Sequence, residues 1–191
     1  YLYDDGILRY TGQHTTGISE EQLQFIAEAL HFQEPDWGVI FFSHHPLRGD
    51  ELFSDALSGE NGGDALWGII DAYKKKKSYQ HTSNITDFEH EISVDYTENA
   101  SDEVVACICG HLHRDLQTKI DGTLMICTTA CGFGQTAYDA KGEAITWRYE
   151  SANETAFDIF SIDRVNKEIF AVRVGAGMNR SFAIEKEVYE P

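Results

Sequence analysis

Trp37-Gly38-Val39-Ile40-Phe41-Phe42-Ser43-His44-His45-Pro46 decides the fold class. Its first part is a near-continuous apolar run of strand length, the pattern of a strand covered on both faces, and such strands belong to α/β layers. Pro46 biases His45 towards extended geometry and cannot donate to a sheet ladder, so the strand should stop at the histidines. The pattern returns at Val104-Val105-Ala106-Cys107-Ile108-Cys109-Gly110, which runs into His111-Leu112-His113. Both strands thus end in imidazoles, at the carboxyl ends where α/β sheets gather ligands.

Working outwards, a helix is predicted from about Ser19 to Leu30. Ser19 and Gln22 form a capping box, Ile18 and Leu23 can staple, and Leu23, Ile26, Ala27 and Leu30 repeat at helical spacing. The Gly/Ser/Asn-rich stretch Leu57 to Gly63 reads as loop. A second helix follows, capped by Asp64, with Leu66, Ile69, Ile70 and Tyr73 on one face and Lys74 to Lys77 in its last turn, where cations suit the macrodipole. The lysine run reads as a solvated helix end rather than a binding patch. Glu91 to Thr97 alternates like a strand, and short strands are predicted around Leu116–Ile120, Leu124–Thr129, Ala156–Ile162 and Ile169–Val174. Gly175-Ala176-Gly177 reads as a simple turn. The class is α/β (α+β), strand-rich towards the C-terminus, with no internal repeat, linker or domain boundary.

The 191 residues carry 15 Lys and Arg against 32 Asp and Glu, a net charge of −17. Phosphate neutralisation needs clustered basic residues, so non-specific nucleic-acid coating is disfavoured, and no apolar run approaches the ~20 residues of a membrane span. The four cysteines, Cys107, Cys109, Cys127 and Cys131, lie within apolar stretches and do not resemble a secreted disulfide framework. They point to a reducing compartment, hence a cytoplasmic protein. The sequons at Asn84, Asn99, Asn153 and Asn179 matter only in a eukaryotic secretory pathway. Tyr1-Leu2-Tyr3 has neither an initiator Met nor a signal segment, and a missing upstream portion is expected.

The histidines carry the chemistry. Neutral imidazole is a strong ligand for borderline transition metals, and an i, i+2 pair on an extended segment would send the His111 and His113 rings to the same side. A rival Cys₂His₂ zinc site would use Cys107, Cys109, His111 and His113. On a continuous strand its outer members lie about 20 Å apart at ~3.3 Å per residue, against zinc–ligand distances of about 2.3 Å. Only a tight fold-back at Gly110 could assemble it, and the cysteines read more simply as small buried hydrophobes.

The strand ending in His44-His45-Pro46, the strand ending in Gly110-His111-Leu112-His113, and the Ile18 to Leu30 helix with its Glu21-Gln22-Leu23 opening occur in one order. That arrangement resembles the calcineurin-like metallophosphoesterases over roughly Gly17 to Ala130, with the pair of strands after Ala156 similar to that family's closing hairpin. The resemblance implies a four-layer αββα sandwich, a phosphorylated substrate, and two divalent transition-metal ions (Mn, Fe, Zn or Ni) that activate a hydroxide for attack on a phosphate monoester or diester. By motif position His44 and His111 would ligate the second metal and His113 the first. His45 would stand beside the site, supporting a ligand or meeting substrate. Arg114 could grip a substrate phosphate through paired hydrogen bonds, and Asp115 could orient an imidazole, each against a plain surface role.

The family's amino-terminal motifs, D-x-H, G-D-x-x-D and G-N-H-D/E, do not occur in the sequence. The chain therefore resembles the carboxyl-terminal half of such a domain, a single partial domain inactive alone and completed by a missing amino-terminal half or companion chain. Alternative readings are a non-catalytic interaction module on the same fold and a structural zinc protein. Substrate choice would lie in loops, in Leu47 to Val104 and Gly132 to Ala156.

Overall fold

The computed structural model describes residues 3–4, 7–8, 16–31, 34–130 and 136–184; Cys131 lies outside them. The chain is mixed α and β, with two α-helices, short one-turn segments and many strands among the described residues, and it divides into two compact units. The first unit is built mainly from 1–38 and 55–104, the second from 39–46 and 105–191.

In the first unit a two-residue pair, β1 (Tyr3–Asp4) and β2 (Ile7–Leu8), precedes helix α1 (Glu20–Ala29). The predicted capping box is present: Ser19 Oγ accepts the Gln22 N–H, and Gln22 Oε1 accepts the Ser19 N–H at 3.1 Å. Leu23 and Ala27 form the buried stripe. Helix α2 (Asp64–Lys74) differs from expectation at its start. Gly63 occupies the cap position without a side-chain bond, and Asp64 is the first helical residue, its carboxylate bound by Arg48.

The lysine run ends α2 through backbone geometry. The Lys77 N–H reaches Ala72 O at 3.0 Å and the Lys76 N–H reaches Tyr73 O at 3.2 Å, with Lys76 left-handed at φ 46°. This is a Schellman closure with lysine in the place glycine usually takes. Lys75 and Lys77 both pair with Asp71. Strands β4 (Ser78–Ser83) and β5 (His90–Asp95) form an antiparallel hairpin. Tyr96 then binds the end of α1, its hydroxyl donating to Ala27 O at 2.9 Å, and Asn99 Nδ2 donates to Leu30 O at 2.6 Å.

In the second unit the two apolar runs are strands β3 (Gly38–Ser43) and β6 (Glu103–Cys109), whose first one or two residues are counted with the first unit. They stand in a sheet of order β3-β6-β8-β7, with β7 (Leu116–Ile120) and β8 (Thr123–Cys127). Strands β6 and β8 run parallel. Strands β7 and β8 form a hairpin through Asp121 and Gly122, both at positive φ as a tight two-residue loop requires. A second sheet has the order β11-β10-β9, from β9 (Ala156–Asp163), β10 (Glu168–Gly175) and β11 (Arg180–Ala183), all antiparallel. Val105, Ala106, Ile108, Leu124 and Ile126 of the first sheet share one core with Ile169, Ala171 and Phe182 of the second. Gly175-Ala176-Gly177 is a turn, with both glycines at positive φ and the Ala176 N–H on Thr155 O. Among the described residues no helix is long and apolar enough to cross a membrane.

Candidate metal centre

The histidines meet where β3 and β6 end. The Gly110 N–H donates to His44 O at 3.0 Å, which sets the two strand ends side by side. The chain after Gly110 is not extended, so the expectation that strand alternation aligns His111 with His113 is corrected. The Leu112 N–H returns to Gly110 O at 2.7 Å across His111, whose φ is 64°, and His113 follows at φ 51°. A three-residue turn with positive φ at its centre is the rarer, strained form, and a second non-glycine residue at positive φ two positions on concentrates strain on two imidazole-bearing residues.

The strain is held from beneath. Cys127 Sγ, on β8, donates to Gly110 O at 3.0 Å, and its sulfur also receives the backbone N–H groups of Leu112 and Arg114. Cys109 lies opposite Cys127 in the parallel ladder and hydrogen-bonds to it. That bond and then burial push the Cys109 thiol up; the same bond, more than offsetting burial, brings Cys127 below its ordinary value. The turn is fixed from the other side by the Tyr138 N–H on His113 O, 2.9 Å, and by Thr129, whose N–H reaches Asp115 Oδ1 at 3.0 Å.

This geometry selects which imidazoles converge. His44 Nε2 and His111 Nδ1 are 3.3 Å apart, the His45 and His111 ring centroids 3.8 Å, and potential ligand atoms of all three residues lie within 4.8 Å of one another. Two nitrogens bound to one tetrahedral ion at about 2.1 Å lie about 3.4 Å apart, so the His44–His111 pair fits as it stands, and a pair near the 4.8 Å limit must close by about 1.4 Å. The donor set therefore fits one borderline ion such as zinc, nickel or ferrous iron. His113 lies outside this trio but lines the same cleft of about 630 Å³, together with His44, His111 and Phe42.

The cysteine-histidine alternative is not assembled. Cys107 and Cys109 are buried within β6, and among the described residues the His44, His45 and His111 group is the one cluster of three metal-capable donors.

Asp115 and Arg114 behave differently from the sequence reading. Asp115 is 2% exposed, which corrects its surface alternative, and its carboxylate faces two guanidinium groups rather than a ring. Arg173 Nη2 reaches it at 2.7 and 2.9 Å and Arg180 Nη2 at 3.1 Å. Asp158 completes the cluster, bound by Arg173 Nε at 2.7 Å and Arg180 Nη2 at 2.6 Å. Burial opposes the Arg173 charge, but Asp158 and Asp115 more than offset it and hold that guanidinium above its ordinary value. Arg114 is exposed, its guanidinium 4.7 Å from the Tyr138 ring centroid.

Neither Asp158 nor Arg173 carries a signal in the sequence: Arg173 reaches Asp115 only from the second sheet, and Asp158 joins the cluster through the two arginines. Among the described residues lining the cleft, Asp158 is the only acid, and both arginines already hold it. Comparison with protein-family models, curated proteins and solved structures finds no match for this chain.

Proposed function

We propose that His44, His45 and His111 bind a divalent transition metal, and that the chain is the histidine-bearing part of a metal-dependent phosphoesterase. The observation that carries this reading is the convergence of three imidazoles at two strand ends, on a turn that places two histidines at positive φ. The resemblance of the HHP and GHLH segments to the calcineurin-like metallophosphoesterases supplies the reaction class and the αββα sandwich as its setting.

When bound, the metal supplies Lewis acidity towards a phosphoryl oxygen. The chain's own residues hold and orient it: His44 from the end of β3, with His45 beside it, and His111 from the turn that Cys127 braces. His113 lines the cleft where a phosphate ester would lie, or where a second ion would be held once carboxylates are added. In this reading those carboxylates would come from outside the described residues, as from an amino-terminal half or companion chain, because the cleft's one described acid is held by Arg173 and Arg180. That same observation favours, as a second reading, a binding module without catalysis of its own.

Calorimetric titration of the purified chain with Zn²⁺ and Ni²⁺ tests the proposal. One ion should bind, and His44→Ala and His111→Ala should each weaken it by at least the 10- to 100-fold typical of even a supporting residue's loss. His113→Ala should leave the ion held by His44, His45 and His111 nearly unaffected. Unchanged affinity in His44→Ala and His111→Ala would refute the site.

A further inference from the structure

A second pair of imidazoles lies far along the chain from the trio, in the β4–β5 hairpin of the first unit. His90 is 4% exposed, and its two ring nitrogens are both engaged: Nδ1 with Phe88 O at 3.0 Å and Nε2 with His81 Nδ1 at 2.9 Å. A carbonyl oxygen only accepts, so His90 Nδ1 carries a hydrogen. The facing nitrogens, His90 Nε2 and His81 Nδ1, then need one hydrogen between them.

The ring geometry separates this contact from a metal site. The two rings are within 19° of coplanar and their centroids are 5.1 Å apart, close to the nitrogen separation plus the two ring radii. They therefore meet head-on, as an N–H···N bond requires, whereas two ligands of one ion aim their lone pairs at a third point. The Tyr79 ring lies within 21° of parallel to that of His81, centroids 6.2 Å apart.

The contact closes the end of the hairpin. Ser83 pairs with His90 in the last rung, and the intervening turn bonds through the Phe88 N–H to Ile85 O at 2.8 Å. The Phe88 ring in turn lies on Gly17, where an added Cβ would come within 2.0 Å of it. Gly17 leads into Ile18 and the Ser19 cap of α1, so the histidine pair, the turn and the start of the helix form one chain of contacts.

We propose that His81 and His90 form an acid-released latch on the hairpin. Closed, the two facing nitrogens share one hydrogen; with a hydrogen on each, the 2.9 Å contact sets two N–H donors against each other with no acceptor between them, and the turn is freed from Gly17. The closed form then holds one proton fewer than the open form in acid, so closure weakens as pH falls and strengthens as it rises. Glu20 and Glu28 of α1, His31 just beyond its end, Asp64 of α2, and Tyr79, Asp87, Glu89 and Glu91 of the hairpin and its turn are the titratable groups on the hairpin and the elements packed against it. None of them relieves the need for a bare facing nitrogen. The device does not depend on metal at the other site.

The test is long-range ¹H–¹⁵N NMR of the full wild-type chain, with amide hydrogen exchange, between about pH 7.5 and about pH 5, the range over which imidazoles change charge. At the upper end His90 should be the Nδ1–H tautomer. On acidification, exchange of the amides in 83–90, corrected for its intrinsic pH dependence, should rise about five- to tenfold, the ratio expected for a lost hydrogen bond of ordinary net strength. His81→Phe keeps a ring on Tyr79 but no facing nitrogen, and should abolish the response. Two fully protonated rings with unchanged protection would overturn the proposal, as would an unaltered response in His81→Phe; if that variant does not fold, the wild-type measurement decides alone.

Discussion

Replacing Arg173 with Met would remove one of two guanidinium groups from a buried cluster of two arginines and two aspartates. The Arg173 side chain is 2% exposed and makes bonds of 2.7 to 3.1 Å to Asp115 and Asp158, with a further bond to Ala176 O at 2.9 Å. Met fills much of the same volume, so packing is largely conserved and the change is chiefly electrostatic. Arg180 would then face two buried carboxylates alone, leaving one buried negative charge without compensation. Breaking a buried pair on one side costs about 3 to 5 kcal/mol; because Arg180 still reaches both carboxylates, the lower end applies, about 3 kcal/mol.

For a chain of this size that loss corresponds to about 6 to 12 °C in the melting temperature. Urea unfolding followed by fluorescence and calorimetry would measure it. A deficit below about 1 kcal/mol at neutral pH, the scale of an exposed ion pair, would refute the buried-cluster account.

Two further substitutions probe the first unit. Lys76→Gly should stabilise it by about 0.5 to 1 kcal/mol, because residue 76 is left-handed in the Schellman closure and glycine meets no Cβ penalty there; a loss in thermal or urea unfolding would contradict that closure. Tyr96→Phe removes the bond to Ala27 O, leaves the ring packed against Tyr73, and should cost about 1 to 2 kcal/mol of unfolding free energy.

The elements legible in the sequence are those whose signal is local. The S-x-x-Q box of α1 acts within one turn, and the apolar runs of β3 and β6 announce strands; only β6 is buried as that pattern predicts, whereas β3 lies at the sheet edge with Phe42 68% exposed, which corrects its reading as a strand covered on both faces. Strand β4, Ser78–Ser83, carries no such signal: it is mostly polar, and it is a strand because β5 pairs with it. The start of α2 is similarly nonlocal, since Asp64 is drawn to Arg48 instead of capping its own helix.

At the site, sequence alone determined that histidines cluster at two strand ends, because an apolar run followed by His-His-Pro or Gly-His-Leu-His can terminate in few ways. Tertiary structure decided which of them converge. A turn with positive φ at His111, braced by a cysteine from the neighbouring strand, brings His111 to His44 and His45 and leaves His113 to line the cleft. Asp115 is charged, next to an arginine, and in sequence looks like surface. It is buried because Arg173 and Arg180 reach it from the second sheet, 58 and 65 residues away along the chain, and a buried charge persists only where opposite charges meet it. Local order follows from the chain's own spacing, whereas side chains from distant strands determine the state of each charge and imidazole.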